Sequence, residues 1–291
     1  MGNGTPRYRA SVLGLVAVIL AGCSSNHPQP RFLDKTTISV GMHNDLPGVS
    51  YLSNTYVRSG TDYLLEQRID AELGITSISP TEISSADRVP RLVAGKVDMV
   101  IGSFSITADR MKDIDFVGPY LTTRQGFLVG PGGANVRLLS DLNGQRVCTW
   151  AGTTSGDALA QLNSAHVDVV TQASAAECLT ELKAGRVFAF STDQTILYGF
   201  EDVNAAAALR VVPDLTIGAP QHYGIGIPKG HRRDCERLKQ IVKHYVESST
   251  WIADIEVSLP RIPAHDRDWV SHYKPSAAAI DARSCRDRAG S

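Results

Sequence analysis

The chain has 291 residues, with 29 Lys and Arg against 30 Asp and Glu, so its net charge at pH 7 is −1. No basic block breaks that balance, which argues against a nucleic-acid partner, because such a partner needs a basic patch or stripe. Hydrophobic residues make up 43%, enough for one large core or two modest ones, and the five cysteines suit an oxidising compartment.

Read from its start, the chain opens with a targeting segment. Arg7 and Arg9 precede an apolar run from Val12 to Ala21 that is too short to span a bilayer. The run ends Leu20-Ala21-Gly22-Cys23, which resembles a bacterial lipobox. In that reading residues 1–22 are a signal peptide and 23–35 a lipidated tether. A lipid on Cys23 would hold the protein at the outer, extracytoplasmic face of the cell membrane. Ser24 to Pro30 is polar and contains proline, as a tether requires. The alternative is an ordinary secretory signal with a chance cysteine.

Short apolar runs then alternate with helical patterns. Strands are predicted over Ile38–Met42, Thr76–Ser79, Val97–Gly102, Gly126–Val129, Arg146–Trp150, Val167–Val170, Val187–Ser191, Leu209–Val212 and Tyr223–Ile227. Helices are predicted over Asp62–Leu73, Arg88–Ala94, Ser155–Asn163, Ala176–Ala184 and Arg233–Glu247, with Gly74 and Gly95 as stops. The alternation means an α/β fold with largely parallel sheets. An internal echo, strand–helix–strand and then a polar loop, occurs before Arg110 and again around Gly152 to Asp193, and it favours two lobes. Residues 36–120 with 223–274 are expected to form lobe 1 and residues 124–219 lobe 2. A hinge of two strands is expected near Leu121–Gln125 and Ala219–Tyr223. Residues 275–291 read as a tail lying over the surface. With Cys23 set aside, Cys148, Cys178, Cys235 and Cys285 allow three pairings. Cys148–Cys178 and Cys235–Cys285 are favoured because each pair stays within one lobe.

Three segments carry candidate chemistry. The first is Ser103-Phe104-Ser105 running on to Arg110. It brings two hydroxyls and a guanidinium to the C-terminal end of a strand, where open α/β sheets bind ligands. A guanidinium holds a carboxylate through two parallel hydrogen bonds. An ordinary surface pairing of Arg110 with Asp109 or Asp113 is the bland alternative. The second segment is Gly152-Thr153-Thr154, where free N–H groups at a helix start attract an anion, although Thr also caps helices everywhere. The third is Thr192-Asp193, again either a helix cap or the counter-charge for a buried ammonium, with Ser105 and the Ser103 carbonyl as further acceptors. No G-x-x-x-x-G-K-[ST], C-x-x-C or H-x-x-x-H occurs, so neither a bound metal nor a cofactor is expected.

Taken together in this order, these segments resemble the family-3 bacterial solute-binding proteins, the amino-acid receptors of ABC importers. The resemblance covers roughly Lys35 to Pro260. It rests on Pro47-Gly48, Gly95-Lys96-Val97-Asp98, Ser105-Ile106-Thr107-Ala108-Asp109-Arg110, Asp115-Phe116 with Pro119-Tyr120, Ala151-Gly152-Thr153-Thr154, Ser191-Thr192-Asp193 and Tyr223-Gly224-Ile225-Gly226-Ile227-Pro228-Lys229-Gly230. It implies a two-lobed, type II periplasmic-binding-protein fold, a monomer, and delivery of a bound amino acid to ABC permease subunits without catalysis. It also implies that Arg110 and the Thr153 and Thr154 amides hold the ligand α-carboxylate, and that Ser103, Ser105 and Asp193 hold the α-ammonium. Ser84 to Leu92 looks like the segment of glutamate and aspartate receptors in which an Arg meets the distal carboxylate. Arg88 would be that residue, or else a solvated helix-start Arg beside Asp87 or Glu82. Cys148 and Cys178 sit where actinobacterial glutamate- and glutamine-type members have cysteines. Phe188, in place of a usual Asp, and Thr61, in place of a usual aromatic, depart from the pattern. The ligand class is therefore glutamate, aspartate or glutamine. A sensor module, or a dehydratase-like enzyme using Asp45, His43 or His222 at the cleft edge, remains an alternative.

Overall fold

In the computed structural model of the chain, residues 1–4, 31–74, 78–162 and 165–287 are described. Cys23, almost all of the signal segment and most of the tether lie outside them, as do Thr76, Ser77, Asn163 and the last four residues of the tail. No helix among the described residues is long and apolar enough to cross a membrane.

The first half contributes strands β1 (Ile38–Met42), β2 (Asp45–Leu46), β3 (Ser50–Leu52), β4 (Arg58–Ser59), β5 (Ile78–Glu82) and β6 (Met99–Val100), with helices α1 (Thr61–Leu73) and α2 (Arg88–Val93). The middle adds β7 (Ile114–Val129), β8 (Arg146–Trp150), α3 (Ser155–Ala160), β9 (Asp168–Gln172), α4 (Ala175–Lys183), β10 (Ala189–Asp193), α5 (Gln194–Val203), β11 (Arg210–Val211) and β12 (Ile217–Pro228). Five helices finish the chain: α6 (Arg232–Glu247), α7 (Ser249–Ser258), α8 (Arg261–His265), α9 (Trp269–Tyr273) and α10 (Ala277–Arg283).

Local sequence explains these elements. Only Ser39 of β1 is half-exposed, as befits a parallel strand covered on both faces. Leu65 and Ile69 give α1 its buried face, and Gly74 ends it in a left-handed conformation (φ 65°). Cys235, Leu238, Val242 and Tyr245 recur at helical spacing and seat α6 on the core.

The strands join in one nine-stranded sheet in the order β5-β1-β6-β12-β7-β10-β8-β9, with β11 also on β7. Within each lobe three strands run parallel, β5-β1-β6 in one and β10-β8-β9 in the other. Antiparallel pairing of β7 with β12 and β10 links the two sets. β7 and β12 are therefore the two strands that pass between the lobes. Where they cross, Gln221, His222 and Tyr223 pair with Thr123, Thr122 and Leu121. Register shifts on either side of that stretch bend the ribbon.

Both strands are longer than the residues suggest. Gly118-Pro119 inside β7, and Gly218 with Pro220 inside β12, read as breaks, yet each sits in the strand. The small β2–β3–β4 sheet and helices α7–α10 were not expected either, whereas α5 starts directly after Asp193, at the helix start expected there. In the tail, α10 forms because the Ser276 hydroxyl caps it by accepting from Ala279 N–H and Ile280 is buried. Beyond it the chain is fixed to β7: Ser284 exchanges hydrogen bonds with both main-chain groups of Gly118, and Cys285 N–H donates to Phe116 O at 2.9 Å. Both expected disulfides form, Cys148–Cys178 tying β8 to α4 and Cys235–Cys285 tying α6 to the tail.

Candidate functional site

The lobes meet over a small cavity whose lining includes all seven residues singled out as binding candidates: Arg88, Ser103, Ser105, Arg110, Thr153, Thr154 and Asp193. On the lobe-1 side the chain leaves β6 and turns at Ser103, a non-glycine residue held at φ 47°. That conformation is costly for an L-residue, and Asp62 at the start of α1 supports it. Asp62 accepts from Ser103 N–H at 2.9 Å and, through its other oxygen, from the Tyr120 hydroxyl at 2.7 Å. Burial outweighs these bonds and raises the Asp62 carboxyl to about 6.

The turn presents its carbonyls to Arg88. That guanidinium is only 2% exposed. Its Nε donates to Ser85 O, its Nη1 to Gly102 O (2.8 Å) and Ser103 O (3.1 Å), and its Nη2 to Gly152 O of the other lobe (2.9 Å). Arg110, in a single 3-10 turn, donates from Nη1 to Ser105 O (2.7 Å) and from Nη2 to the same Gly152 O (2.8 Å). Both guanidiniums lie over the Phe104 ring, at 4.5 and 4.9 Å from its centre. Burial and the Arg110 charge push Arg88 down to about 9, and burial pushes Arg110 down to about 10. Both stay charged at neutral pH.

On the lobe-2 side, Gly152 adopts φ 78°, which turns its carbonyl to the two arginines. Trp150 Nε1–H donates across the cleft to Ser85 Oγ at 3.1 Å, and Ser85 Oγ lies 3.3 Å from His43 Nε2. Burial and the Arg88 charge lower His43 to about 3, so its ring is neutral. The Thr153 hydroxyl donates to Trp150 O at 2.8 Å. That of Thr154 donates to Gln221 Oε1 and accepts from Gln125 Nε2, so neither hydroxyl is idle and their main-chain N–H groups are what they offer the cavity. At the end of β10, Asp193 accepts from the Tyr223 hydroxyl through Oδ2 at 2.6 Å. Its Oδ1 is buried and has no hydrogen-bond partner among the described residues. Burial raises Asp193 to about 6, against the pull of the Tyr223 bond and of both arginines.

The cavity holds about 10 Å³, roughly the space of one water and far below the ~300 Å³ of a small-molecule site. Admission of a larger molecule requires the lobes to part. Parting removes Gly152 O from both arginines at once and frees two Nη2 groups in a cavity that Asp193 also lines. Two guanidiniums against the Asp193 carboxylate suit an anionic group together with a cationic one.

Several contributors were not legible as site residues. Phe104, Trp150, Tyr223, Asp62 and Gln125 belong to the site through contacts between residues as many as 65 positions apart in the chain, as with Trp150 and Ser85. Phe104 alone carried a signal, standing between the two candidate serines. His43 and His222, named above at the cleft edge, are respectively a lining residue and a partner of Thr122 on the crossing strands.

A model of the bacterial extracellular solute-binding proteins, family 3, matches residues 38–252. The glutamate-binding protein GluB of Corynebacterium glutamicum is 27% identical over 250 residues, covering 81% of this chain and 84% of its own. The ABC transporter glutamine-binding protein GlnH of Bacillus subtilis is 31% identical over 163 residues, 56% of this chain and 58% of its own. Among solved structures, an ancestral arginine-binding protein bound to glutamine superposes with a TM-score of 0.70 at 27% identity, covering 77% of this chain and 97% of that one. The shared architecture is the type II periplasmic-binding-protein fold. The chain therefore belongs to the bacterial extracellular solute-binding proteins of family 3.

Proposed function

We propose that the protein is an extracytoplasmic receptor for a polar amino acid of the glutamate, aspartate and glutamine class. It is tethered to the membrane through a lipid on Cys23 and hands its ligand to the permease subunits of an ABC importer. One observation carries the reading: Asp193 Oδ1 is buried and without a partner among the described residues, while Arg88 and Arg110 both reach Gly152 O from the facing lobe. A zwitterion satisfies all three groups. Its α-carboxylate takes Arg110 Nη2 and the Thr153 and Thr154 amides. Its α-ammonium takes Asp193 Oδ1, with the Ser105 hydroxyl and the Ser103 carbonyl beside it. Arg88 Nη2, released from Gly152, meets a distal carboxylate, while the rest of that guanidinium keeps its main-chain carbonyls. The names of the glutamate- and glutamine-binding relatives support the ligand class.

Binding closes lobe 2 (residues 124–219) onto lobe 1 (residues 36–120 with 223–274) by bending at the crossing segments of β7 and β12. Closure is driven only by contacts made better in the closed form. The test is a thermal-shift screen of the twenty amino acids, since a ligand that prefers the folded state raises Tm. The largest rise is expected with the acidic amino acids and their amides. No rise with any of them, or appearance of a product during incubation, rejects the reading.

A further inference from the structure

A second cavity, of about 340 Å³, shares no lining residue with the cleft. Its walls come from the crossing segment of β7, from α5, from the turn ahead of β12 and from the stretch running from the end of α8 through α9. Three side chains in it are unmatched. Arg124 is exposed on β7, and neither a hydrogen bond nor an ion pair joins its guanidinium to another described residue. The Asp214 carboxylate is likewise exposed and unpaired among the described residues. Tyr198 is 2% exposed and stacks on His265, yet its hydroxyl bonds to no described residue. Asp266, by contrast, is engaged by His272 at 2.6 Å. The free charges act inside the cavity: Arg124 favours the ionised phenol of Tyr273, and Asp214 disfavours that of Tyr198.

An unpaired cation, an unpaired anion and an unbonded phenol hydroxyl complement a small zwitterion, and the volume lies at the lower end of small-molecule sites. We propose that this hinge-side cavity is a second binding site, for a free amino acid with an uncharged side chain. The carboxylate sits on Arg124, and the ammonium sits between Asp214 and the Tyr198 hydroxyl. A charged side chain is disfavoured because no partner remains for it. Tyr198 and Asp214 line the cavity from lobe 2, and His265 and His272 line it from lobe 1, so occupancy of this site is coupled to the relative position of the lobes and the coupling is reciprocal.

The inference is tested by NMR titration of the full chain with L-glutamine, using two reporters. The His272 ring reads the hinge cavity and the Trp150 indole N–H reads the cleft. In Arg110→Ala, which silences the cleft if the proposed function is right, the His272 resonance is expected to move to saturation while the indole stays put. Adding Arg124→Ala or Asp214→Asn should weaken the His272 response about tenfold or more, the effect of losing one charged hydrogen bond. Both side chains are exposed, and the ligand-free spectra show whether either variant has lost its fold. A His272 ring unmoved by glutamine, or a response indifferent to both added substitutions, overturns the second site. Failure of the cleft reading registers separately, as an indole that still responds in Arg110→Ala.

Discussion

Gly152→Ala should prop the cleft open. A Cβ at Gly152 would lie 2.4 Å from Ala86 N, 2.5 Å from Ala86 Cα and 2.5 Å from Ser85 C, all main-chain atoms of the opposite lobe. Main chain cannot rotate aside as a side chain does. Restoring ordinary contact at 3.4 Å thus requires the lobes to retreat by about 1 Å at this point. The same retreat carries Gly152 O out of reach of Arg88 Nη2 and Arg110 Nη2, which now sit at 2.9 and 2.8 Å. Each charged hydrogen bond is worth about 1.5–3 kcal/mol, so the closed form loses roughly 3 kcal/mol or more and its population relative to the open form falls at least ~100-fold. Alanine at φ 78° adds a strain of about 1–2 kcal/mol. That strain is present open or closed, so it lowers Tm without affecting closure. Small-angle scattering of the ligand-free chain should show a larger radius of gyration in the variant than in the wild type. Superimposable profiles would show that the contact between Gly152 and the 85–86 segment does not hold the lobes together.

Other substitutions probe the remaining groups. Arg88→Lys keeps the charge but not the fork, and it should weaken glutamate about tenfold more than glutamine; equal losses in calorimetry would reject a distal-carboxylate role. Asp193, at about 6, must be ionised to meet an ammonium, so affinity should fall about tenfold for each pH unit below that value and Asp193→Asn should flatten the profile. A profile flat from pH 7 to about 5 in the wild type would remove Asp193 from the ammonium site. For folding the sign is opposite. Asp62 and Asp193 are raised from 3.8 to about 6, so the folded state binds more protons between those values. Their contribution is most favourable below the unfolded value and is lost as pH rises through about 6. Ligand-free Tm should therefore decline less between pH 5 and 7 in Asp193→Asn than in the wild type. Cys285→Ser opens a closed loop with a sequence separation of 50 residues and should cost about 4 kcal/mol, with faster amide exchange in α10. Unchanged exchange there would mean that Ser284 and the neighbouring main-chain bonds suffice to hold the tail.

Much of this arrangement was written in local patterns. β1 and β8 occupy the predicted spans, because short apolar runs bounded by turn residues admit few alternatives. Helix ends followed glycine, with Gly74 stopping α1 as its spacing implied. The seven candidate binding residues came together because each lies at a strand end or a helix start, where residue type and position speak jointly. Long-range geometry was not legible. β7 and β12 run on through glycine and proline because pairing with each other outweighs the local penalty, and no window of one strand reveals its partner. The state of Arg88 was hidden for a similar reason: whether a helix-start arginine points to water or into four carbonyls depends on Gly102, Ser103 and Gly152, which are distant in sequence. Asp62 read as part of a helix start, whereas its work is to hold Ser103 in a left-handed conformation 41 residues away.

The central claim is that a zwitterion replaces Gly152 O on Arg110 and brings an ammonium to Asp193. Isothermal titration of glutamate and glutamine into the wild-type chain and into Arg110→Ala tests it most directly. Loss of the guanidinium leaves a buried carboxylate unpaired, so binding should weaken by about 3–5 kcal/mol while the ligand-free fold is retained. Equal affinity in the two proteins would contradict the account.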